Sequence, residues 1–344
     1  MRATSRGSRR HGAERLSSME TPAIVDSLSA SDAPSATGSS GQKRRARFRF
    51  RPQVFVPYLF NTPFIILYIA FFIAPLIYAF VQALYVEKRS GLGFGPPQTV
   101  WAGSENFTKA IHDPLLWQGL GRVLLFGAVQ IPVMMIVALA LALLMDSAVI
   151  RFRSFFRLAF FLPYAVPVVI AAIMWGYFYS PDASPIIQIF TALHLPPPTF
   201  LGPTQTIWSI ANISTWEFVG YNMIIFYSAL QGAPQEIYEA GRIDGLSELG
   251  IAIRLKLPLL APALVIGLLF SIVGTLQLFN EPEVLKNLTN ADITSNYTPN
   301  IYAFTVAVVN TDFNYGGAIA VILGVVTFIF SYGFMRLTRN QFGG

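Results

Sequence analysis

Polar residues of a kind that bind sugars interrupt a long apolar stretch near the middle of this 344-residue chain. Glu217 is followed there by Phe218, Tyr221 and Asn222, and positions 218, 221 and 222 share one face of a helix. Aromatic rings pack against the C–H patches of a sugar, and neighbouring polar groups hydrogen-bond its hydroxyls. This face is therefore a candidate path for a sugar.

A second polar set lies in the next apolar stretch, where Thr275, Gln277 and Asn280 are followed by Glu281. A charge within a membrane is costly, so it normally faces a cavity or a partner. We expect both sets to line one path. Two alternatives stay open: the side chains only form hydrogen bonds between helices, and Glu281 only marks the external end of its helix.

The sequence lacks the motifs that carry catalysis in soluble enzymes. It has no G-x-x-x-x-G-K-[ST] loop for nucleotide phosphates and no Gly-x-Ser-x-Gly elbow. Its three histidines, His11, His112 and His194, have no Glu or Cys at metal-ligand spacing, and there is no cysteine. We therefore expect no enzyme, and no metal or cofactor bound by this chain.

A polar loop at residues 234–258 differs from the apolar segments around it. It is long enough for two short helices, because Pro234 suits a first helical position, Gly245 interrupts the pattern and Pro258 ends the second helix. Leu246, Leu249 and Ile253 place one apolar stripe on that second helix. The stripe rests either on lipid headgroups or in the groove of a partner protein.

The elements that position these residues are six charge-poor segments. Each is long enough to span a membrane, which takes about 20 apolar residues. The chain is 53% hydrophobic and 12% charged, which fits an all-α membrane protein, since backbone groups in hydrocarbon must be satisfied within helices. Prolines inside the segments are expected only to kink them. The predicted spans are Pro57 to Tyr85, Val123 to Met145, Leu158 to Ser180, Ile207 to Leu230, Leu257 to Asn280 and Phe313 to Met335.

The amino-terminal residues are predicted to be a disordered tail, residues 1–50, rich in Ser, Ala, Gly and Arg. It ends in a basic run, Lys43 to Arg51, directly before the first span, where it suits anionic membrane lipid. Eleven of the 24 Lys and Arg residues fall in the first 51 positions, so the net charge of +6 does not indicate nucleic acid. Further basic residues lie between spans two and three, four and five, and after span six, which places both termini in the cytoplasm.

The loop resembles the cytoplasmic signature of integral-membrane permeases of ABC importers. That signature reads Glu-Ala-Ala, three residues, Gly, nine residues, Ile, one residue, Leu-Pro. The matching positions here, at the same spacing, are Glu239, Ala240, Gly241, Gly245, Leu255, Leu257 and Pro258. The departures are Gly241 for the second Ala and Leu255 for Ile.

Further stretches resemble the carbohydrate-type subfamily, similar to maltose and glycerol-phosphate permeases. They are Phe155 to Pro163, Asn106-Phe107 with Asp113-Pro114, and Asp244 beside Gly245. The resemblance covers roughly residues 55–339. It implies an ABC importer permease fold with a first transmembrane helix and external loop at 51–115, and a core transmembrane domain at 116–340.

The resemblance also implies a mechanism and an assembly. The two-helix loop would sit in a groove of an ATPase subunit and couple its closure to rocking of the spans, with Glu239 meeting basic groups there. Glu239 is alternatively an ordinary solvated charge. The implied assembly in the inner membrane contains a second permease that forms a heterodimer with this chain, and two ATP-binding subunits that hold ATP-Mg. An extracytoplasmic solute-binding protein delivers the sugar to it.

Two other classes of function are compatible with spans alone. An ion-coupled secondary transporter predicts internal inverted repeats, and none is convincing in this sequence. A membrane-embedded enzyme predicts clustered acidic or His residues at one membrane face, which the loops do not offer. The sequence does not identify the sugar or the role of the tail.

Overall fold

The computed structural model describes residues 56–88, 98–147, 150–288 and 293–342. The predicted tail and the basic run before the first span lie outside these residues. The first span is helical as predicted, with α1 at Val56–Tyr68, a π turn at Ile69–Ile73 and α2 at Ala74–Ala83. The wide turn lies just before Pro75, whose ring cannot fit a regular helical turn.

A small structure of two strands and a short helix follows the first span. Strand β1, Tyr85–Lys88, pairs antiparallel with β2, Gln98–Trp101, and α3 follows at Glu105–Ile111. The buried Asn106 amide donates hydrogen bonds to the carbonyls of Ala83, at 3.0 Å, and Tyr85, at 2.8 Å. These bonds fix the end of α2 against α3, so Asn106 has a structural role.

Helix α4, Pro114–Asp146, is 33 residues long and begins well before the predicted Val123. Its N-cap is Asp113, whose Oδ1 accepts a hydrogen bond from the backbone N–H of Leu115 at 2.9 Å. The other oxygen, Oδ2, accepts hydroxyl hydrogen bonds from Tyr302 at 2.5 Å and Tyr315 at 2.6 Å. Asp113 therefore joins the start of α4 to the last part of the chain.

The third predicted span is not one helix, which corrects the expectation that prolines only kink it. Helix α5, Arg153–Phe161, leads through a 3₁₀ turn at Leu162–Ala165 into α6, Val168–Tyr179, and the two directions differ by 96°. Pro163 and Pro167 lack the N–H groups that would continue the helix, and Val166 between them is extended. Helix α7 follows at Pro185–Ala192.

Helix α8, Thr206–Gln231, matches the fourth predicted span and packs along α4 around a core of Met134, Ala138, Met223 and Phe226. Gly220 lets α8 approach the end of α5, because a Cβ there would lie 1.8 Å from the carbonyl oxygen of Phe160. Only glycine, which has no side chain, allows two backbones to come this close.

The polar loop forms two helical pieces, as predicted. Helix α9 is Gln235–Ile243, and the second piece runs through α10, Glu248–Ile251, a π turn at Ala252–Lys256 and α11, Leu257–Leu259, before α12 at Ala261–Leu276. Pro258 does not end this piece, which corrects the prediction. The wide turn before it gives room for the proline ring, so helical backbone continues towards α12.

The rest of the chain contains α13 at Asn280–Leu288, α14 at Pro299–Phe304, a π turn at Thr305–Val309 and α15 at Phe313–Phe342. Residues 277–279 break the helix between α12 and α13. Within the described residues, four helical segments are long and apolar enough to cross a membrane when the break between α12 and α13 is included in one of them, or five with the bent pair of α5 and α6 counted as one span. The four segments are Tyr58–Ala83, Pro114–Asp146, Ala261–Asn287 and Phe313–Thr338. Helix α8 is long enough but carries more polar residues, so the prediction of six spans is matched only in part by this measure.

Candidate functional site

A cavity of about 430 Å³ lies among α4, the 3₁₀ turn, α6, α8, α12 and α13. All seven residues predicted for the sugar path line it, and Glu281, left open above, lines it as well. The structure thus brings the two polar sets together although they are more than 50 residues apart in sequence. The predicted lining residues are Glu217, Phe218, Tyr221, Asn222, Thr275, Gln277 and Asn280.

Two buried polar atoms of this cavity are hydrogen-bond acceptors without a donor. Glu217 is 5% exposed and Asn222 is 2% exposed, yet Glu217 Oε2 and Asn222 Oδ1 have no hydrogen-bond partner. Glu281, which is 7% exposed, accepts one hydrogen bond from the Ser214 hydroxyl at 3.0 Å. Buried polar groups are usually satisfied, so an open acceptor beside a cavity indicates a place for a ligand donor.

Aromatic rings form one wall of the cavity. Tyr164, in the 3₁₀ turn, stacks on Tyr221 with ring centroids 4.7 Å apart and meets Phe218 edge-on at 5.8 Å. Sequence reasoning missed Tyr164 because its position depends on the break in the third span. It also missed Gln130 and Ser214, which carry no signal apart from being polar residues in apolar segments.

The signature residues of the polar loop differ in exposure. Gly245 has φ of +81°, the left-handed conformation that closes a helix, and the Leu246 N–H returns to the Gly241 carbonyl at 2.9 Å. Leu255 and Leu257 are half-buried, whereas Gly241 is buried. The exposed members, free to meet another protein, are Glu239, Ala240, Asp244, Gly245 and Pro258.

The two departures from the family signature contact each other. A Cβ added to Gly241 would lie 2.8 Å from Leu255 Cδ1, which is closer than real side chains approach. The leucine branch therefore occupies the space that an alanine at 241 would need. Gly241 and Leu255 therefore face each other in the loop.

A buried ion pair ties the loop to the spans. Lys256 Nζ lies 2.5 Å from Asp146 Oδ2, and both side chains are about 10% exposed. Asp146 Oδ1 accepts a second hydrogen bond from the Gln231 amide at 2.7 Å. The ammonium also lies 5.1 Å from the centroid of the Tyr238 ring. Burial, and then the Asp146 charge, raise the pKa of the Tyr238 phenol.

The outward surface of the loop carries both charge and apolar side chains. Arg242 Nε donates to Glu248 at 3.0 Å, and this bond and the positive charge lower the pKa of the Glu248 carboxyl. Ile243, Leu249 and Ile253 are 86%, 69% and 56% exposed. Two residues of the predicted apolar stripe are thus uncovered on this chain.

Comparison with known families decides the class of the protein. The model of the binding-protein-dependent transport system inner membrane component matches residues 138–340, which is more than half of the chain. The chain belongs to this family. The matched segment contains the polar loop and most of the cavity, so the resemblance seen in the sequence is confirmed.

Relatives of known role extend the similarity over most of the chain. The lactose transport system permease protein LacF of Rhizobium radiobacter is 28% identical over 279 residues, 80% of this chain and 91% of the relative. The diacetylchitobiose uptake system permease protein NgcF of Streptomyces coelicolor is 27% identical over 333 residues, 93% of this chain and 92% of the relative. This family member therefore shares nearly its full length with transport permeases.

A solved structure has the same fold. A chain of a bacterial ABC transporter involved in the import of the acidic polysaccharide alginate superposes with a TM-score of 0.72 at 17% identity. The alignment covers 84% of this family member and 96% of that chain. The ABC importer permease fold is therefore confirmed.

Proposed function

We propose that this chain is the permease subunit of an ATP-driven importer, and that its cavity passes a sugar delivered by an extracytoplasmic solute-binding protein. The observation that carries the proposal is the convergence of the predicted sugar-path residues on one cavity, in a chain of the binding-protein-dependent transport family. Stacked tyrosines beside open acceptors suit sugar rings and their hydroxyls. Several relatives are named for the transport of lactose, arabinooligosaccharides and diacetylchitobiose.

The polar loop, residues 234–258, is proposed to couple the spans to a separate ATPase subunit that binds ATP-Mg. Its uncovered apolar residues and exposed Glu239 supply a surface for a groove on that subunit. The Asp146–Lys256 pair links this surface to the ends of α4 and α8. Movement of the docked loop would therefore reach the helices that line the cavity.

The proposed topology has six membrane-spanning segments with both termini in the cytoplasm. Helix α8 supplies the polar span and the α5–α6 pair the broken one. The proposed segments of the chain are the tail at 1–50, the first transmembrane helix and external loop at 51–115, and the core transmembrane domain at 116–340. The proposed assembly also contains a second, non-identical permease and two ATPase subunits. The bias of Lys and Arg between spans supports this orientation.

Transport by the assembled complex in liposomes tests the main proposal. Uptake of a neutral disaccharide should need both the binding protein and hydrolysable ATP, and a non-hydrolysable ATP analogue should abolish it. The competing function is an ion-coupled secondary transporter. Uptake that persists without ATP and collapses with the ion gradient would establish that function instead.

A loop variant tests coupling separately. Glu239→Lys with Gly245→Pro should abolish uptake and weaken ATPase-subunit binding by about 10-fold or more, with membrane insertion intact. Glu236→Lys is the matched control, because Glu236 is an exposed acid in the first turn of the same helix. Normal transport in the double variant would contradict the proposed role of the loop.

A further inference from the structure

The charged groups that line the cavity all have the same sign. Its lining includes two carboxylates, Glu217 and Glu281, and contains no Lys, Arg or His among the described residues. The ionic character of the lining is therefore entirely acidic. A cluster of acids alone does not define a ligand, so the state of the neighbouring donors matters.

The buried donors around these acids are already used within the chain. The Ser214 hydroxyl donates to Glu281, and the Gln130 amide lies 3.4 Å from Thr215 Oγ1. The Asn222 amide nitrogen donates to the Phe218 carbonyl at 3.1 Å. In the buried part of the lining, the atoms without a hydrogen-bond partner are acceptors.

Two independent atoms carry that spare capacity. Glu217 Oε2 and Asn222 Oδ1 belong to side chains more than nine-tenths buried, and neither atom has a partner. A hydroxyl group satisfies such an acceptor by donating a hydrogen bond. An ionised carboxylate or a doubly ionised phosphate on a sugar cannot donate a hydrogen bond, and its charge is repelled by Glu217 and Glu281.

We propose that this cavity accepts uncharged, hydroxyl-rich saccharides and excludes anionic ones, with Glu217 as the main determinant. The inference rests on the proposed sugar-import function and specifies its cargo. It separates this chain in cargo from relatives named for sn-glycerol-3-phosphate transport and from the alginate importer whose fold it shares. The shared fold thus does not fix the charge of the cargo.

The test uses the complete transporter in nanodiscs without its binding protein, so that only the membrane cavity selects. Equilibrium dialysis measures radiolabelled lactose, cellobiose and N,N′-diacetylchitobiose as neutral probes, and cellobiouronate and digalacturonate as anionic ones. Cellobiose and cellobiouronate share a scaffold and differ by one carboxylate. We expect the anionic member to bind about 10-fold or more weakly.

Substitution then assigns the discrimination to the buried acids. Glu217→Gln keeps the shape and removes the charge, so the cellobiose-to-cellobiouronate ratio should fall by about 10-fold. Glu281→Gln is a second variant expected to act in the same direction if the first does not assemble. Glu283→Gln is the matched control, because Glu283 is on the same helix outside the cavity lining and should leave the ratio unchanged.

The outcomes separate this inference from the function on which it rests. Anionic probes that bind as tightly as neutral ones, or a ratio unchanged in both cavity variants, would overturn the charge selection while leaving sugar import intact. Failure of every probe to bind, together with no ATP-dependent uptake of neutral sugars in the presence of the binding protein, would overturn the proposed function itself.

Discussion

Two buried carboxylates in this chain have opposite surroundings. Asp146, beside the polar loop, receives a hydrogen bond from Gln231 and an ion pair from Lys256. Glu217, in the cavity, keeps one oxygen without any partner. The carboxylate that stabilises the structure is thus paired within the chain, whereas the carboxylate in the proposed cargo cavity has an oxygen without a partner. The difference indicates that the cavity serves cargo binding and that the Asp146 cluster connects the loop to the spans.

Breaking the Asp146 cluster should have the largest effect. Asp146→Ala leaves the Lys256 ammonium buried and unpaired, which costs about 3–5 kcal/mol. Scanning fluorimetry of the purified complex should show a large fall in melting temperature. Exchange of the two charges, Asp146→Lys with Lys256→Asp, should restore part of the loss.

The control for this change is a half-buried ion pair with a longer distance between its charges. Lys286 lies 3.8 Å from Glu283, and both side chains are more accessible than those of the buried pair. Glu283→Ala should therefore cost less than about 1 kcal/mol. Equal destabilisation by the two alanine variants would remove the distinction between a structural and an incidental pair.

Packing differs between the two regions in the same way. Gly241→Ala in the loop should cost about 1 kcal/mol or less, because its Cβ would meet Leu255 Cδ1 at 2.8 Å and this flexible side chain must move. Adding Leu255→Ile should recover most of the loss, which a double-mutant cycle of melting temperatures would detect as strong coupling. Gly274→Ala is the control in the cavity lining, where an added Cβ meets nothing within 4 Å. Additive effects of the two loop changes would refute their compensation.

Glu217→Gln should change stability in the opposite direction to Asp146→Ala. It removes a buried charge that lacks a full set of partners, so the free energy of unfolding should stay the same or rise by about 1 kcal/mol. Glu236→Gln, at an exposed position on α9, supplies the baseline for melting temperature. A loss as large as that of Asp146→Ala would mean that Glu217 also supports the frame.

The smallest expected effect is the loss of stability at low pH that comes from Asp113, at the start of α4. Burial raises the pKa of Asp113, but the hydroxyls of Tyr302 and Tyr315 and the N–H groups of Leu115 and Leu116 outweigh it and hold the pKa below 3.8. Stability from this group is present above that ordinary value and is lost as the pH falls through the lower, folded-state pKa.

Removal of both hydroxyls, Tyr302→Phe with Tyr315→Phe, should therefore flatten the acid side of a plot of melting temperature against pH. Tyr332→Phe, on the more exposed part of α15, is the control and should leave the slope unchanged. An unaltered slope in the double variant would exclude Asp113 as the source of the acid sensitivity.

The sequence predicted the cavity better than it predicted the path of the backbone. Glu217 and Gln277 were recognisable because polar groups in apolar spans need a partner or a cavity, whatever the helix does. The positions of Pro234 and Gly245 also predicted two helical pieces in the loop. Both inferences depend on local pattern alone.

Features set by distant contacts were not predictable. The 96° bend after α5 depends on Pro163 and Pro167 and on the close approach of Gly220, which belongs to another helix. The Asp146–Lys256 pair joins residues 110 positions apart. Neither position carries a signal in its own neighbourhood, so a single sequence cannot reveal that they meet.

The break at residues 277–279 has a consequence for how cargo moves. Peptide groups outside a helix cannot face hydrocarbon without a partner. At this break Gln277 and Leu278 donate their N–H groups to carbonyls of α12, and the Phe279 carbonyl accepts one from Glu283. Gln277 and Phe279 line the cavity. A sugar that enters the cavity would exchange its hydrogen bonds with water for hydrogen bonds and ring contacts with the lining residues. It would therefore not have to lose its water without gaining other partners.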